Sequence, residues 1–367
     1  MRPIYIAAQG HYTARGLGVE AARAVLRGET SSERRTLNGD DVPYFRLPLP
    51  GDWQPRAQAA VAQCAQALGT PKELPLFFAS SSFHVGRLET EFPARAYQPP
   101  RLDLGSFASE VSSWLDGRGT PWCFSTACTS ALAALKAAGM LLRHGTLDQA
   151  LVIATELENL LSGSGFHSLG LLSTTHPKPF AADRDGLVLG EAVAALHLTT
   201  RPELCPATCW RLDACELGLD VFSLTGINPD GSVVAQVIER ALHSAGIDPA
   251  AIDLVKVHAA GAGATDEAEA RALQRVFGER MPLLLSLKPY IGHTLGASGL
   301  AELGLLLDCL ALGALPGLPG DPAPDPAIPL RLAEPQPASA VRRVLLVGIG
   351  FGGGIGALVL TKASSCD

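Results

Sequence analysis

Charge is scarce in this sequence. Only 18% of its 367 residues are Asp, Glu, Lys or Arg, against roughly a quarter in an average soluble protein, while 47% are apolar. That balance excludes a predominantly disordered chain and leaves material for a large core. Basic residues are the minority of what charge there is, 29 against 36 acidic, for a net charge of −7. A protein that coats phosphate backbones needs clustered cations, so no nucleic-acid partner is expected. Long hydrophobic runs are missing too. The N-terminal apolar stretch covers only Ile4 to Ala8, too short for a signal-peptide core, and the apolar segment after His293 carries Glu302 and Asp308. No membrane span is expected, and the protein reads as soluble and cytoplasmic.

Cysteine is thinly spread, with eight residues at 64, 123, 128, 205, 209, 215, 309 and 366, far from the density of a disulfide scaffold. Free thiols are expected. Cys205, Cys209 and Cys215 lie on or beside an expected strand without paired ligand spacing, so they read as core packing; neither a metal nor a cofactor is expected. The 38 glycines and 27 prolines fall short of a low-complexity composition, so the glycines are placed rather than scattered.

What is present is an alternation of strand and helix. Strands are expected at Ile4 to Ala8, Leu76 to Ala79, Ala150 to Ala154 and Val193 to Leu198, with helices at Val19 to Leu26, Arg56 to Leu68 (closed by Gly69) and Ala131 to Arg143. The second half repeats the rhythm: strand Cys209 to Leu217, helix Val233 to Ala245 ended by Gly246, strand Ile252 to Val257, helix from about Asp266 to Phe277, strand Leu283 to Leu287, and a long apolar helix after His293. Such alternation implies an α/β fold with a largely parallel sheet. The Pro-rich stretch Leu315 to Pro337 reads as a surface loop before strands Val344 to Val347 and Ala357 to Leu360. The midline falls near Thr200 to Thr208, and no residue-exact repeat is visible.

Three segments could carry chemistry. Thr126-Ala127-Cys128-Thr129-Ser130 places a cysteine at the mouth of a helix, whose unpaired N–H groups favour thiolate; a small buried hydrophobe is the competing reading. Lys288 to Gly299 sets His293 among glycines between strand and helix, where a neutral imidazole can donate to an oxygen gaining charge; a helix cap is the plain alternative. Gly348 to Gly354 suits a tight turn with N–H groups facing a ligand, and it is no phosphate loop because no Gly-Lys-Ser/Thr follows. An ordinary hairpin is its other reading.

Together these segments make the chain resemble a β-ketoacyl-ACP synthase of the thiolase-fold superfamily. Thr126-Ala127-Cys128 resembles the nucleophile motif, Pro179 to Gly186 with Gly190-Glu191 resembles PFDxxRDG…GE, Lys288 to Glu302 resembles KxxxGHxxGAxGxxE, and Gly350-Phe351-Gly352-Gly353 resembles the GFGG gating loop. The resemblance implies a five-layered αβαβα fold with two similar halves, residues 1–204 with the nucleophile and 205–367 with the histidine and GFGG loop. It implies a homodimer, or a heterodimer with another ketosynthase, and acyl carrier protein as partner. By the same resemblance Cys128 takes the acyl group, His293 binds the malonyl thioester oxygen, and Lys288 and Glu302 hold the site. The N–H groups of Cys128 and Phe351 form the oxyanion hole, and Phe351 gates the channel.

The family's first catalytic histidine lies in NAHGTxT. Matching this to His258 to Ala264 puts Ala260 at the histidine position, with the following helix start about two residues short; Ala181 replaces an aspartate, and Gly354-Ile355 replaces Thr-Asn. Loss of one donor to an oxyanion costs about 10²–10³ in rate, so condensation is expected to be impaired or specialised. His258 is the nearest substitute, but with i and i+2 about 7 Å apart on a strand its expected role is structural. Three functions stay open: a condensing acyltransferase of fatty-acid or polyketide biosynthesis, a chain-length-factor-like partner of an active ketosynthase, and thioester transfer or hydrolysis. Ketosynthase-like subunits of aryl-polyene pathways are the type it most resembles, although chain-length factors usually replace the cysteine kept here.

Overall fold

A computed structural model describes residues 2–69, 73–91, 103–117, 119–320 and 322–364. Cys366 lies outside the described residues; among the described residues no disulfide joins the other seven cysteines. Ten strands build the frame: β1 (Tyr5–Thr13), β2 (Leu76–Ala79), β3 (Trp122–Phe124), β4 (Gln149–Glu156), β5 (Ala192–Thr199), β6 (Thr208–Leu219), β7 (Leu254–Lys256), β8 (Leu283–Leu285), β9 (Arg343–Ile349) and β10 (Gly354–Ser364). Their spatial order is β8-β7-β9-β10-β6-β1-β5-β4-β2-β3.

The order hides a repeat. From one edge, β3, β2 and β4 are parallel, then β5 and β1 each reverse; from the other, β8, β7 and β9 are parallel, then β10 and β6 each reverse. The two five-strand units meet where β1 pairs with β6 at Tyr5–Arg211 and Ile6–Trp210. The sheet is therefore mixed, which corrects the expectation of a largely parallel one. One reason is local: β9 and β10 are joined by a short glycine turn, and strands so joined must run antiparallel.

Nine helices used below are α1 (Gly18–Leu26), α2 (Trp53–Leu68), α3 (Leu104–Trp114), α4 (Ser130–Arg143), α5 (Leu160–Ser168), α6 (Ser232–Ala245), α7 (Gly263–Phe277), α8 (Lys288–Ile291) and α9 (Ser298–Ala311). Left-handed Gly69 and Gly246 close α2 and α6, as helix C-termini favour. Strand alternation sorts the layers. On β4, Ala150, Val152 and Ala154 enter a central core with Leu132 and Leu135 of α4 and Leu303 and Leu306 of α9, whereas Leu151 and Ile153 enter a second core under α2 and α3. On β9, Val344 and Leu346 face the centre while Leu345 and Val347 pack under α6 and α7. The result is five layers, αβαβα, with α4 and α9 between the two halves of the sheet.

That position explains α9. A helix apolar all round belongs in a core or a membrane, and here both halves of the sheet cover it; among the described residues no helix is long and apolar enough to cross a membrane. Cys209 and Cys215 are likewise buried in apolar clusters. The Pro-rich stretch is a loop closed by pairing of Ala314–Leu315 with Gln336–Pro337. It seats Ile328 and Leu330 in the outer core of the second unit, and Tyr290 Oη donates to the Gly317 carbonyl at 2.7 Å.

Candidate active site

Cys128 stands between β3 and α4 on a turn that local hydrogen bonds force into shape. Ala127 has φ +49°, a left-handed conformation that costs a non-glycine residue energy. Ser130 Oγ holds it by donating to the Ala127 carbonyl at 2.6 Å and accepting the Thr126 N–H at 2.9 Å. The helix mouth alone pointed to a thiolate. Burial overrides it: the Cys128 thiol is pushed up to about 12 by desolvation, although the N–H groups of Phe351 and of Cys128 itself, aimed at the sulfur, pull the other way. Cys128 is thus a neutral thiol that needs a base. His293 Nε2 lies 3.1 Å from its sulfur.

His293 follows Gly292, whose φ is +72° and where a Cβ would meet the Leu189 carbonyl oxygen at 2.8 Å. Its N–H donates to the Val188 carbonyl at 2.7 Å, pinning the turn to the first unit. Nδ1 sits 2.9 Å from Ser298 Oγ, a hydroxyl that can donate or accept, so either imidazole tautomer is accommodated. Burial, then the Lys288 charge, pushes His293 down to about 3. The ring is neutral.

His258 faces the same space. Its ring meets that of His293 edge to face, with centroids 5.3 Å apart, and both line a cavity of about 50 Å³ with Cys128, Phe351 and Phe166. Nδ1 accepts the Ile349 N–H at 3.2 Å, which leaves the ring proton on Nε2 as a donor. Burial and then Lys288 hold His258 well below its ordinary value. Ala260 lines the same cavity, its methyl group packed in an apolar cluster with Cys128, Phe166 and Leu187.

The matching by sequence left Ala260 in the histidine's place and gave His258 a structural role; in the structure both line the cavity, and of the two only His258 carries a donor. The strand ends at Lys256, so the i, i+2 geometry of a strand does not apply beyond it. The backbone instead curls over two buried carboxylates. Glu269 accepts the N–H groups of His258 and Ala259 at 2.6 and 2.7 Å, and Asp266 accepts those of Ala260, Gly261 and Phe180 at 3.1, 3.2 and 3.1 Å. Shifting the motif by two residues sets His258 on its histidine, and no shortening of the helix start remains to be explained.

Behind the imidazoles lies a buried triad. Lys288 Nζ contacts Glu302 Oε1 at 2.7 Å, and Lys256 Nζ contacts Glu302 Oε2 at 2.5 Å. Burial would raise the Glu302 carboxyl; Lys256 and Lys288 overcome it and hold the group below its usual range. Lys256 escaped the sequence reading, although a lysine inside the apolar run Ile252 to Val257 was a usable signal. Glu156 escaped it as well. This buried carboxylate accepts Ser81 N–H, Ser81 Oγ, Ser82 N–H and Gly296 N–H at 2.7–3.1 Å, together with Ser82 Oγ, and so ties the end of β2 to the turn after His293.

The loop Gly350 to Gly353 closes the cavity. A Cβ on Gly350 would lie 3.1 Å from Cys128 N and 3.2 Å from Cys128 Cβ; one on Gly353, at φ +75°, would strike the Asp220 carbonyl oxygen at 1.7 Å. Gly352 also has φ +75°. The Phe351 ring stacks on Phe166 of α5 with centroids 4.7 Å apart. Residues of the family signature between Pro179 and Glu191 act as scaffold: Arg184 pairs with Asp325 and Glu267, and Glu191 with the buried Arg56.

Residues 86–203 match the β-ketoacyl synthase N-terminal domain, and residues 212–319 match the β-ketoacyl synthase C-terminal domain. The chain belongs to the β-ketoacyl synthase family. It is 30% identical over 274 residues to the tetracenomycin polyketide synthase ketoacyl synthase alpha subunit of Streptomyces glaucescens, covering 70% of this chain and 63% of that protein. A relative from Streptomyces cyaneus is 31% identical over 288 residues, 73% of this chain and 65% of the relative; the chain thus spans just under two thirds of these proteins. A chain from the complex of ketosynthase ApeO with its chain length factor ApeC from Xenorhabdus doucetiae superposes with TM-score 0.85 at 24% identity, covering 99% of this chain and 98% of that one. A β-ketoacyl synthase from Burkholderia phymatum superposes with TM-score 0.84 at 25% identity, covering 99% and 100%.

Proposed function

We propose that this β-ketoacyl synthase relative condenses an acyl group, carried on Cys128, with a malonyl unit delivered by acyl carrier protein. The observation that carries this reading is the meeting of Cys128, His293 and His258 around one cavity under the N–H groups of Cys128 and Phe351. In the first half-reaction His293 Nε2 takes the thiol proton, the sulfur attacks the acyl thioester carbonyl, and the two N–H groups hold the oxyanion. The carrier thiolate leaves and regains the proton.

In the second, the malonyl C–C bond breaks, CO₂ departs, and its electron pair moves into an enolate whose oxygen accepts from His258 and His293. The enolate carbon attacks the acyl-Cys128 carbonyl and expels the Cys128 thiolate, which is reprotonated. The hydrogen bonding divides the roles: His258, fixed by the Ile349 N–H, only donates, while His293 beside Ser298 can take or give. Phe351, stacked on Phe166, is the gate. The partner-subunit reading rested on a missing imidazole, and with His258 in the cavity it loses that support.

A second subunit still fits the surface. β3 is the outermost strand of its unit and exposes Trp122; an open edge strand is a pairing surface, and we assign it to another copy or to a second ketosynthase. Intact-mass measurement after mixing with acyl- and malonyl-carrier protein, alone and beside a candidate partner, tests the reading. The expected result is an acyl adduct absent from Cys128→Ala, followed by CO₂ release and a β-ketoacyl carrier. An adduct without decarboxylation under both conditions would favour thioester transfer.

A further inference from the structure

The chain has six lysines, and two of them are buried on one carboxylate. Lys288 belongs to the segment already matched to the family. Lys256 does not: with His258 on the motif's histidine, it occupies the position where NAHGTxT carries asparagine. Its Nζ takes the Glu302 oxygen that Lys288 leaves free, and both lysines are about 1% exposed. Two cations on one anion leave net positive charge behind His258 and His293, out of reach of water. A buried like-charge pair is costly unless it serves a state that carries more negative charge.

We propose that Lys256 is a positioning residue for the condensing step, a second buried cation that adds to the field of Lys288 and stabilises the anion formed between the two imidazoles. The proposal rests on the functional reading above. Lys256 touches neither the cavity nor a substrate; it acts through Glu302 and through its field. The charged and titratable groups that face this region are Lys288 of α8, Glu302 of α9, Glu269 and Asp266 of α7, His293, and Glu156 with Cys128 beyond them. Burial lowers Lys256 to about 8 against the pull of Glu302, so the added charge is present at neutral pH and fades as pH rises. The field is preorganised, needing no reorientation as the enolate forms.

Two variants separate charge from hydrogen bonding. Lys256→Gln can still donate to Glu302, whereas Lys256→Met cannot, and both lack the charge. In the full chain with malonyl-carrier protein, both should lower CO₂ release relative to Cys128 acylation by about tenfold, short of the 10²–10³ for loss of a direct donor. The rate of the unmodified protein should fall above about pH 8, the value to which Lys256 is lowered, and both variants should lose that fall. Unmodified rates and pH profile in Lys256→Gln would overturn the proposal. A readout independent of function is the ¹³C-histidine NMR titration of His258 and His293: their midpoints should rise by up to about one unit in Lys256→Met. Equal midpoints, or no protonation of either ring in either protein, overturn the role of Lys256. Absence of CO₂ release from the unmodified protein tells against the condensing function, and the histidine titration then decides Lys256.

Discussion

His258 and His293 meet edge to face, their ring planes 89° apart and their centroids 5.3 Å apart, although one comes from the end of β7 and the other from the turn before α9. Each is neutral for the same reason, burial beside a lysine-rich triad, yet their outer nitrogens differ. The Ile349 N–H can only donate to His258, while the Ser298 hydroxyl can do either for His293. A fixed donor beside a switchable group is the pairing that an enolate-forming step and a thiol-activating step require between them.

His258→Gln should therefore slow malonyl-carrier decarboxylation by about 10²–10³, the cost of one oxyanion donor, and slow Cys128 acylation less. Ala260→His should bring no gain, because that position is packed against Cys128 and Phe166 and a ring there overfills the cluster. Radiometric CO₂ release and intact mass check both. A gain in Ala260→His with a silent His258→Gln would restore Ala260 as the vacant donor position.

The Cys128 thiol, pushed up to about 12, should alkylate slowly at neutral pH. Its iodoacetamide rate, followed by peptide mapping, should climb without a plateau up to at least about pH 9, because reactivity follows thiolate fraction. A plateau near neutral pH would mean that the helix mouth outweighs burial.

Gly350→Ala places a methyl group 3.1 Å from Cys128 N. Either the glycine loop or the cysteine turn must give way, and a misplacement of that order costs up to about 10²-fold. Acylation and condensation should fall together, in contrast to the split expected for His258→Gln. Single-turnover assays of the two steps check this.

Stability should respond to pH through the buried histidines. Both have folded-state values below that of an unfolded chain, near 6.5, so their contribution is present above about pH 6.5 and is lost as pH falls toward the folded values, about 3 for His293. Asp266 and Glu269, raised by burial to about 6 and about 7, act in the opposite sense. Their contribution is full below about pH 4 and is lost as pH rises through those values. The double variant His258→Gln/His293→Gln should gain Tm relative to the unmodified protein as pH is lowered from about 7 to about 5. A difference that stays constant or shrinks contradicts this account.

Much of the site was legible in the residue order. Cys128, Lys288, His293, Glu302 and the glycines from Gly350 to Gly353 stand in short segments whose chemistry is local: a helix mouth, a glycine-flanked turn, an i-to-i+14 pairing of lysine and glutamate in one motif. The strands and helices were readable for the same reason, since alternation and capping act within a few residues. The mixed sheet was less so, because strand direction depends on which distant strand each one joins.

The remainder came from contacts between segments far apart in the chain. The His258 ring reaches the cavity beside Ala260 because Glu269 and Asp266 of α7 bend the backbone after Lys256, and no spacing rule for a strand foretells that bend. Cys128 is a thiol rather than a thiolate because both units bury it, and desolvation outweighs a helix end that was visible in the sequence. Lys256 joins the site only because α9 brings Glu302 between two lysines. Local order specified the groups; burial and backbone path, which depend on the whole chain, set their protonation and their direction.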